Sequence, residues 1–126
     1  MTAKQLSMYM APRVTKSTPV IDGTNWLDVS ATAQSIGFTT QTGISVALRD
    51  ALEPDDFEED GDYEQRLYDA LWLAHFNLSL DRVRSITFNF TFTREHSITG
   101  ELNEVNLRLR VERQEQAAFL GLLQDF

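Results

Sequence analysis

The sequence predicts an α+β domain of two layers, a small antiparallel sheet with helices packed on one face. Three observations lead there. Apolar residues recur at helical spacing through residues 63–78, as Tyr63, Leu67, Leu71, Ala74 and Leu78. Ile86, Phe88, Phe90 and Phe92 then alternate with Thr87, Asn89, Thr91 and Thr93, as a half-buried strand requires. Val105, Leu107, Leu109 and Val111 repeat that alternation against Asn106, Arg108, Arg110 and Glu112, so the two strands are expected to pair antiparallel.

Taken in order, residues 1–20 carry Pro12 and Pro19 among scattered polar residues and read as an extended lead-in to a single domain over 21–126. Asp22-Gly23-Thr24-Asn25 reads as a turn. After the short apolar stretch from Trp26, Ser30 is placed to N-cap a helix over 31–36, with Asp28 as an alternative cap and Gly37 as its C-terminal stop. Ile44, Val46 and Leu48 alternate as in a strand, whereas Ile44, Leu48 and Leu52 share a helical face. The helix reading is favoured because Ala47, Leu48, Arg49, Ala51 and Leu52 are good helix formers and Pro54 supplies a stop.

The helix over 62–80 is expected to start at Asp62. Tyr68, Trp72 and Phe76 widen its apolar stripe, which predicts a central helix buried on more than one side. The connection between the two strands, about residues 94–103, contains Gly100 and is longer than a tight hairpin, so the strands are expected to extend into it. At the end of the chain Phe119, Leu120, Leu122, Leu123 and Phe126 fit a helical stripe that would pack on the sheet.

The charge is local. The 126 residues carry 19 acids against 11 Lys and Arg, a net charge of -8. Eight of those acids, Glu53, Asp55, Asp56, Glu58, Glu59, Asp60, Asp62 and Glu64, fall between residues 53 and 64 with no base among them, leaving 11 acids against 11 bases elsewhere. With no cysteine there is no disulfide, thiolate nucleophile or cysteine-held metal. Residues 1–20 contain no apolar stretch of signal-peptide length and no run is long enough to span a bilayer, so a cytoplasmic protein without membrane contact is expected.

The residues Asp22-Gly23, Asp28-Val29-Ser30, Ala33 and Gly37-Phe38, followed by Arg66-Leu67-Tyr68-Asp69 and Leu71-Trp72-Leu73-Ala74, form a pattern that resembles a family of small uncharacterised proteins of bacterial plasmids and other mobile elements. The resemblance covers about residues 22–75. It implies a mobile-element setting, in which small acidic proteins act on host machinery, and carries no catalytic residue over.

No nucleophile elbow, P-loop or dinucleotide fingerprint is present. His75 sits between Trp72 and Phe76 on the predicted helix and reads as a boundary histidine, and His96 lies in the polar connection. A calcium loop started at Asp56 fails at its closing position, which is Leu67. A carboxylate pair for acid/base catalysis needs one desolvated member, and only Phe57 and Tyr63 offer cover. No catalytic residue, metal site or cofactor is therefore expected.

The acidic window can be a solvated, dipole-capping lead into the helix. Its sharper reading is a docking surface in which Glu53, Asp55, Asp56, Phe57, Glu58, Glu59, Asp60, Asp62 and Glu64 bind a host protein with a basic surface. Eight charges over a dozen residues approach the charge density of duplex DNA, about one per 1.7 Å. Direct nucleic-acid binding is not expected at this net charge. The outward strand face, with Thr87, Asn89, Thr91, Thr93, Asn106, Arg108 and Arg110, reads as an ordinary solvated surface. The alternative function is a structural or accessory homo-oligomer, joined by a strand edge or by the stripe of residues 119–126.

Overall fold

The computed structural model describes residues 19–54, 58, 60–95 and 99–126, with the side chains of Asp60 and Asp81 excepted. The lead-in through residue 18, His96 and the acids Asp55, Asp56 and Glu59, with Phe57, lie outside the described residues. Strand β1 (Trp26–Asp28) and helix α1 (Ser30–Ile36) are followed by β2 (Gln41–Ser45), α2 (Val46–Leu52) and the long helix α3 (Asp60–Asp81). Then come β3 (Ser85–Glu95), β4 (Leu102–Arg113), β5 (Ala117–Leu122) and a 3-10 turn, Leu123–Asp125. Among the described residues no helix is long and apolar enough to cross a membrane.

The five strands form one sheet in the order β1-β2-β5-β4-β3. All neighbours are antiparallel except β2 and β5, which run parallel. Register explains why the helices lie on one face. Leu27, Ile44, Leu120, Val111 and Ile86 pair in turn across all five strands, so one row of side chains is apolar from edge to edge. That side packs against Leu48 and Leu52 of α2, Leu67, Leu71, Ala74 and Leu78 of α3, and Ala33 of α1. The fold is the expected two-layer α+β domain, with a mostly antiparallel sheet.

Local chemistry sets the element ends. Asp22 Oδ1 accepts from the N–H groups of Thr24 and Asn25, which closes the first turn. At α1 neither expected residue is the cap: the helix starts at Ser30 and the capping position is Val29, which has no side-chain cap. Ser30 Oγ accepts from Thr42 N–H across to β2 (2.9 Å), while Asp28 Oδ1 accepts from Ser30 N–H (2.9 Å). Hydrogen bonds from the Ser30 hydroxyl and N–H hold the Asp28 carboxyl below its ordinary value of 3.8. The mixed periodicity of residues 44–52 reflects a junction: strand to Ser45, then helix from Val46. Ser45 caps that helix, its Oγ accepting from Leu48 N–H at 3.0 Å.

Gly37 ends α1 at φ +139°, a conformation that favours glycine. A Cβ there would also lie 2.9 Å from Cε1 of His75, which packs edge-on to Phe38 at 5.1 Å between ring centres. His75 is thus half-buried at the α1–α3 boundary, as its sequence position suggested. Gly37→Ala combines an unfavourable φ with a steric contact and should lower stability by about 1–3 kcal/mol, read as a reduced midpoint in urea unfolding with an unchanged slope.

Three expectations are corrected. Helix α3 begins at Asp60, two residues before Asp62. It is covered on one side only: Tyr68, Trp72 and Phe76 are exposed because the helices form a single layer with nothing beyond α3. The C-terminal stripe is not a helix. Ala117–Leu122 is a strand between β2 and β4, with Ala118 and Leu120 in the main core and Phe119 buried on the opposite face. Both of its faces are covered, so its sequence is continuously apolar and lacks the alternation of a half-exposed strand. Phe119 and Leu120 are covered within the chain, whereas Leu123 of the same stripe is exposed.

Candidate functional site

The acidic segment lies between α2 and the first turns of α3, next to the far end of β3. One described member of the segment, Glu58, is withdrawn from the surface. Glu58 forms an ion pair with Arg66, and each side chain is 6% exposed. Arg66 continues inward: Nη1 donates to Leu52 O (3.1 Å) and Glu53 O (3.4 Å), and Nη2 donates to Thr93 O (3.1 Å) as well as to Glu58. Glu58 Oε2 also accepts from Glu95 N–H at 3.2 Å. Arg94 Nη2 donates to Ala51 O (2.7 Å) and Glu53 O (2.8 Å), and its Nε lies 3.9 Å from Glu58 Oε1. The Phe92 ring supports both guanidinium groups, at 4.6 Å for Arg66 and 5.4 Å for Arg94.

This cluster ties the end of α2, the acidic segment, α3 and β3 together. Because β3 is an edge strand, Thr93 O and Glu95 N–H would otherwise be open pairing groups; the Glu58–Arg66 pair occupies both. Glu58 is accordingly a structural carboxylate, and its expected part in partner binding is corrected.

Of the other acids in the segment whose side chains are described, Glu53 and Glu64 are exposed and Asp62 is half-buried. Glu53 is exposed, 3.6 Å from Arg49 Nε in a solvated pair worth under about 1 kcal/mol. Asp60 is the first residue of α3, and Asp62 and Glu64 follow within its first turns, where the helix dipole favours carboxylates. Asp62 lines a cleft of about 630 Å³ between α3 and the β3 edge, together with Asp69 and Glu95. Neither Asp69 nor Glu95 was expected from the sequence to belong to the docking surface. Asp69 could have been, since it stands seven residues after Asp62 and so shares its face of a helix; Glu95 is brought there only by the packing of β3 on α3. Burial, reinforced by the Glu64 and Glu53 carboxylates, pushes the Tyr63 phenol above its ordinary value of 10.0, a local sign of negative potential.

Among the described residues no three His, Asp or Glu side chains are grouped to hold a metal ion. Leu67, the position at which a calcium loop would close, is buried in the core. The outward sheet face is internally bonded: Arg108 donates to Asn89 Oδ1 and Thr87 Oγ1, and Thr91 Oγ1 donates to Asn106 Oδ1. Arg110 instead lies over the Phe126 ring at 5.0 Å. Comparison with known proteins gives no matching family model, no similar curated protein and no similar solved structure.

Proposed function

We propose that the protein is a non-enzymatic binding protein of a mobile element, which occupies a basic surface on a host protein and inhibits a nucleic-acid-handling defence complex. One observation carries this reading: near the amino end of α3, Arg66 and Arg94 are engaged inward, whereas the described acids other than Glu58 are not buried. Arg66 is buried against Glu58 and three backbone carbonyls, and Arg94 binds two carbonyls. Glu53 and Glu64 are exposed, and Asp62, Asp69 and Glu95 line the adjoining cleft. Such an arrangement favours fast, salt-sensitive association with a cationic surface.

The structure dictates which acids to neutralise. A variant carrying Asp55→Asn, Asp56→Asn, Glu59→Gln, Asp60→Asn and Glu64→Gln, with Glu58 retained, should lose capture of its partner from host lysate at low salt while remaining folded, with a melting temperature lowered only by the lost dipole contributions of residues 60 and 64, about 0.3–1 kcal/mol each. Capture from the same lysate should also fall steeply as salt rises. Capture by the neutralised variant at wild-type level would exclude the acidic segment as the docking surface.

A further inference from the structure

A second surface on α3 is apolar and lies beyond the acidic segment along the helix. Tyr68, Trp72, Phe76 and Leu80 follow one another at four-residue spacing and so form a continuous row along the helix. They are 41%, 47%, 46% and 65% exposed, while Leu67, Leu71 and Leu78 of the same helix are buried. Trp72 and Phe76 are stacked, with ring centres 5.3 Å apart and planes inclined by 6°, which gives the row a flat aromatic centre. Taking about 150–250 Å² for each large apolar side chain, these exposures leave roughly 400 Å² of contiguous apolar surface on one molecule.

We infer that this row is a homodimer interface, occupied by the same row of a second copy running antiparallel. Charge selects both the partner and the direction. The amino half of α3 carries Asp60, Asp62, Glu64 and Asp69, and its one base, Arg66, is buried in an ion pair. At the other end, Asp81 is followed by Arg82 and Arg84, both exposed. A parallel pair would set acidic half against acidic half. An antiparallel pair sets the acidic half of each helix toward the basic end of the other, and a two-fold axis between Trp72 and Phe76 makes the surface self-complementary. Packing the two rows into each other's grooves corresponds to a helix crossing near −50°.

The area is consistent with a reversible dimer. Two such rows contribute roughly 800 Å², and rim contacts bring the total to the lower limit of specific interfaces, about 1,000–1,200 Å². The β3 edge remains outside this contact, and the acidic segment meets it only through the charges of α3 at its rim.

Sedimentation equilibrium of the full chain over about 5–500 μM separates the outcomes. The wild type should move with concentration from 14.4 kDa toward twice that mass, with a parallel blue shift of tryptophan emission from Trp72, since Trp26 is already buried. Trp72→Ala with Phe76→Ala should raise the dimer dissociation constant at least 100-fold while the chain stays folded, read as a wild-type circular dichroism spectrum at concentrations where both proteins are monomeric, because neither side chain belongs to the core. Arg84→Glu should weaken the dimer several-fold at low salt and have little effect at high salt. A wild type that stays at 14.4 kDa throughout overturns the inference and leaves the row to another protein or to residues 1–18. A dimer of unchanged affinity in the double variant overturns it equally, because the contact then lies elsewhere.

Discussion

Arg66→Ala should destabilise the protein by about 3–5 kcal/mol, the loss measured when one partner of a buried ion pair is removed. Two effects add. The Glu58 carboxylate stays enclosed without its counter-charge, and the carbonyls of Leu52 and Thr93 lose the Arg66 donor, while Glu53 O keeps its bond from Arg94. Water can reach part of this site from the adjoining cleft, which places the loss toward the lower end of the range. Glu58→Gln should be milder, because a neutral amide can still accept from Arg66 and from Glu95 N–H. Replacing both groups, as Glu58→Gln with Arg66→Met, should recover much of the single-variant loss, since no uncompensated charge is then buried. Chemical denaturation of the three variants tests this; a loss under about 1 kcal/mol for Arg66→Ala would mean that Glu58 rehydrates and that the cluster holds little of the fold together.

The same cluster shows where sequence reading stops. In the run of residues 53–64, Glu58 is chemically indistinguishable from Glu59. Its burial depends on Arg66 eight residues later and on a backbone N–H contributed by Glu95 in another strand, neither of which composition or periodicity encodes. Asp69 was legible in principle, because helical spacing aligns it with Asp62. The β3–β4 pair was legible because one of its faces is polar, so alternation survives in the sequence, and the strands outlast their marked ends because the pairing continues from Ser85 to Glu95. For α3, a broad apolar stripe establishes a helix but does not reveal which rows are covered. Nothing local separates Leu71, in the core, from Trp72, which faces solvent.

Phe119→Ala should cost about 3–5 kcal/mol, although this side chain lies outside the main core. It sits on the sheet face away from the helices, 2% exposed, with its ring edge-on to Trp26 at 5.2 Å. Trp26 in turn meets Phe126 at 5.4 Å, and Arg110 covers Phe126 from outside. The terminal turn that brings Phe126 there is held by Asp125, whose Oδ2 accepts from Ser45 Oγ (2.5 Å) and Leu122 N–H (2.8 Å). A cavity at residue 119 would remove the buried ring on which Trp26 packs, and the close backbone approach at Gly121 leaves little freedom to collapse into it: a Cβ at that glycine would lie 3.0–3.2 Å from Asp125, Ser45 and Trp26. Leu122→Ala, on the helix-facing side and only partly buried, is the control and should cost less. The comparison also discriminates between structures. In a C-terminal helix packed on the sheet, Phe119 and Leu122 would share one face and respond alike, whereas in a central strand they face opposite layers. Equal losses for the two variants would contradict the strand, and a dominant loss at Phe119 with quenching of Trp26 altered would place it against the tryptophan, as β5 requires.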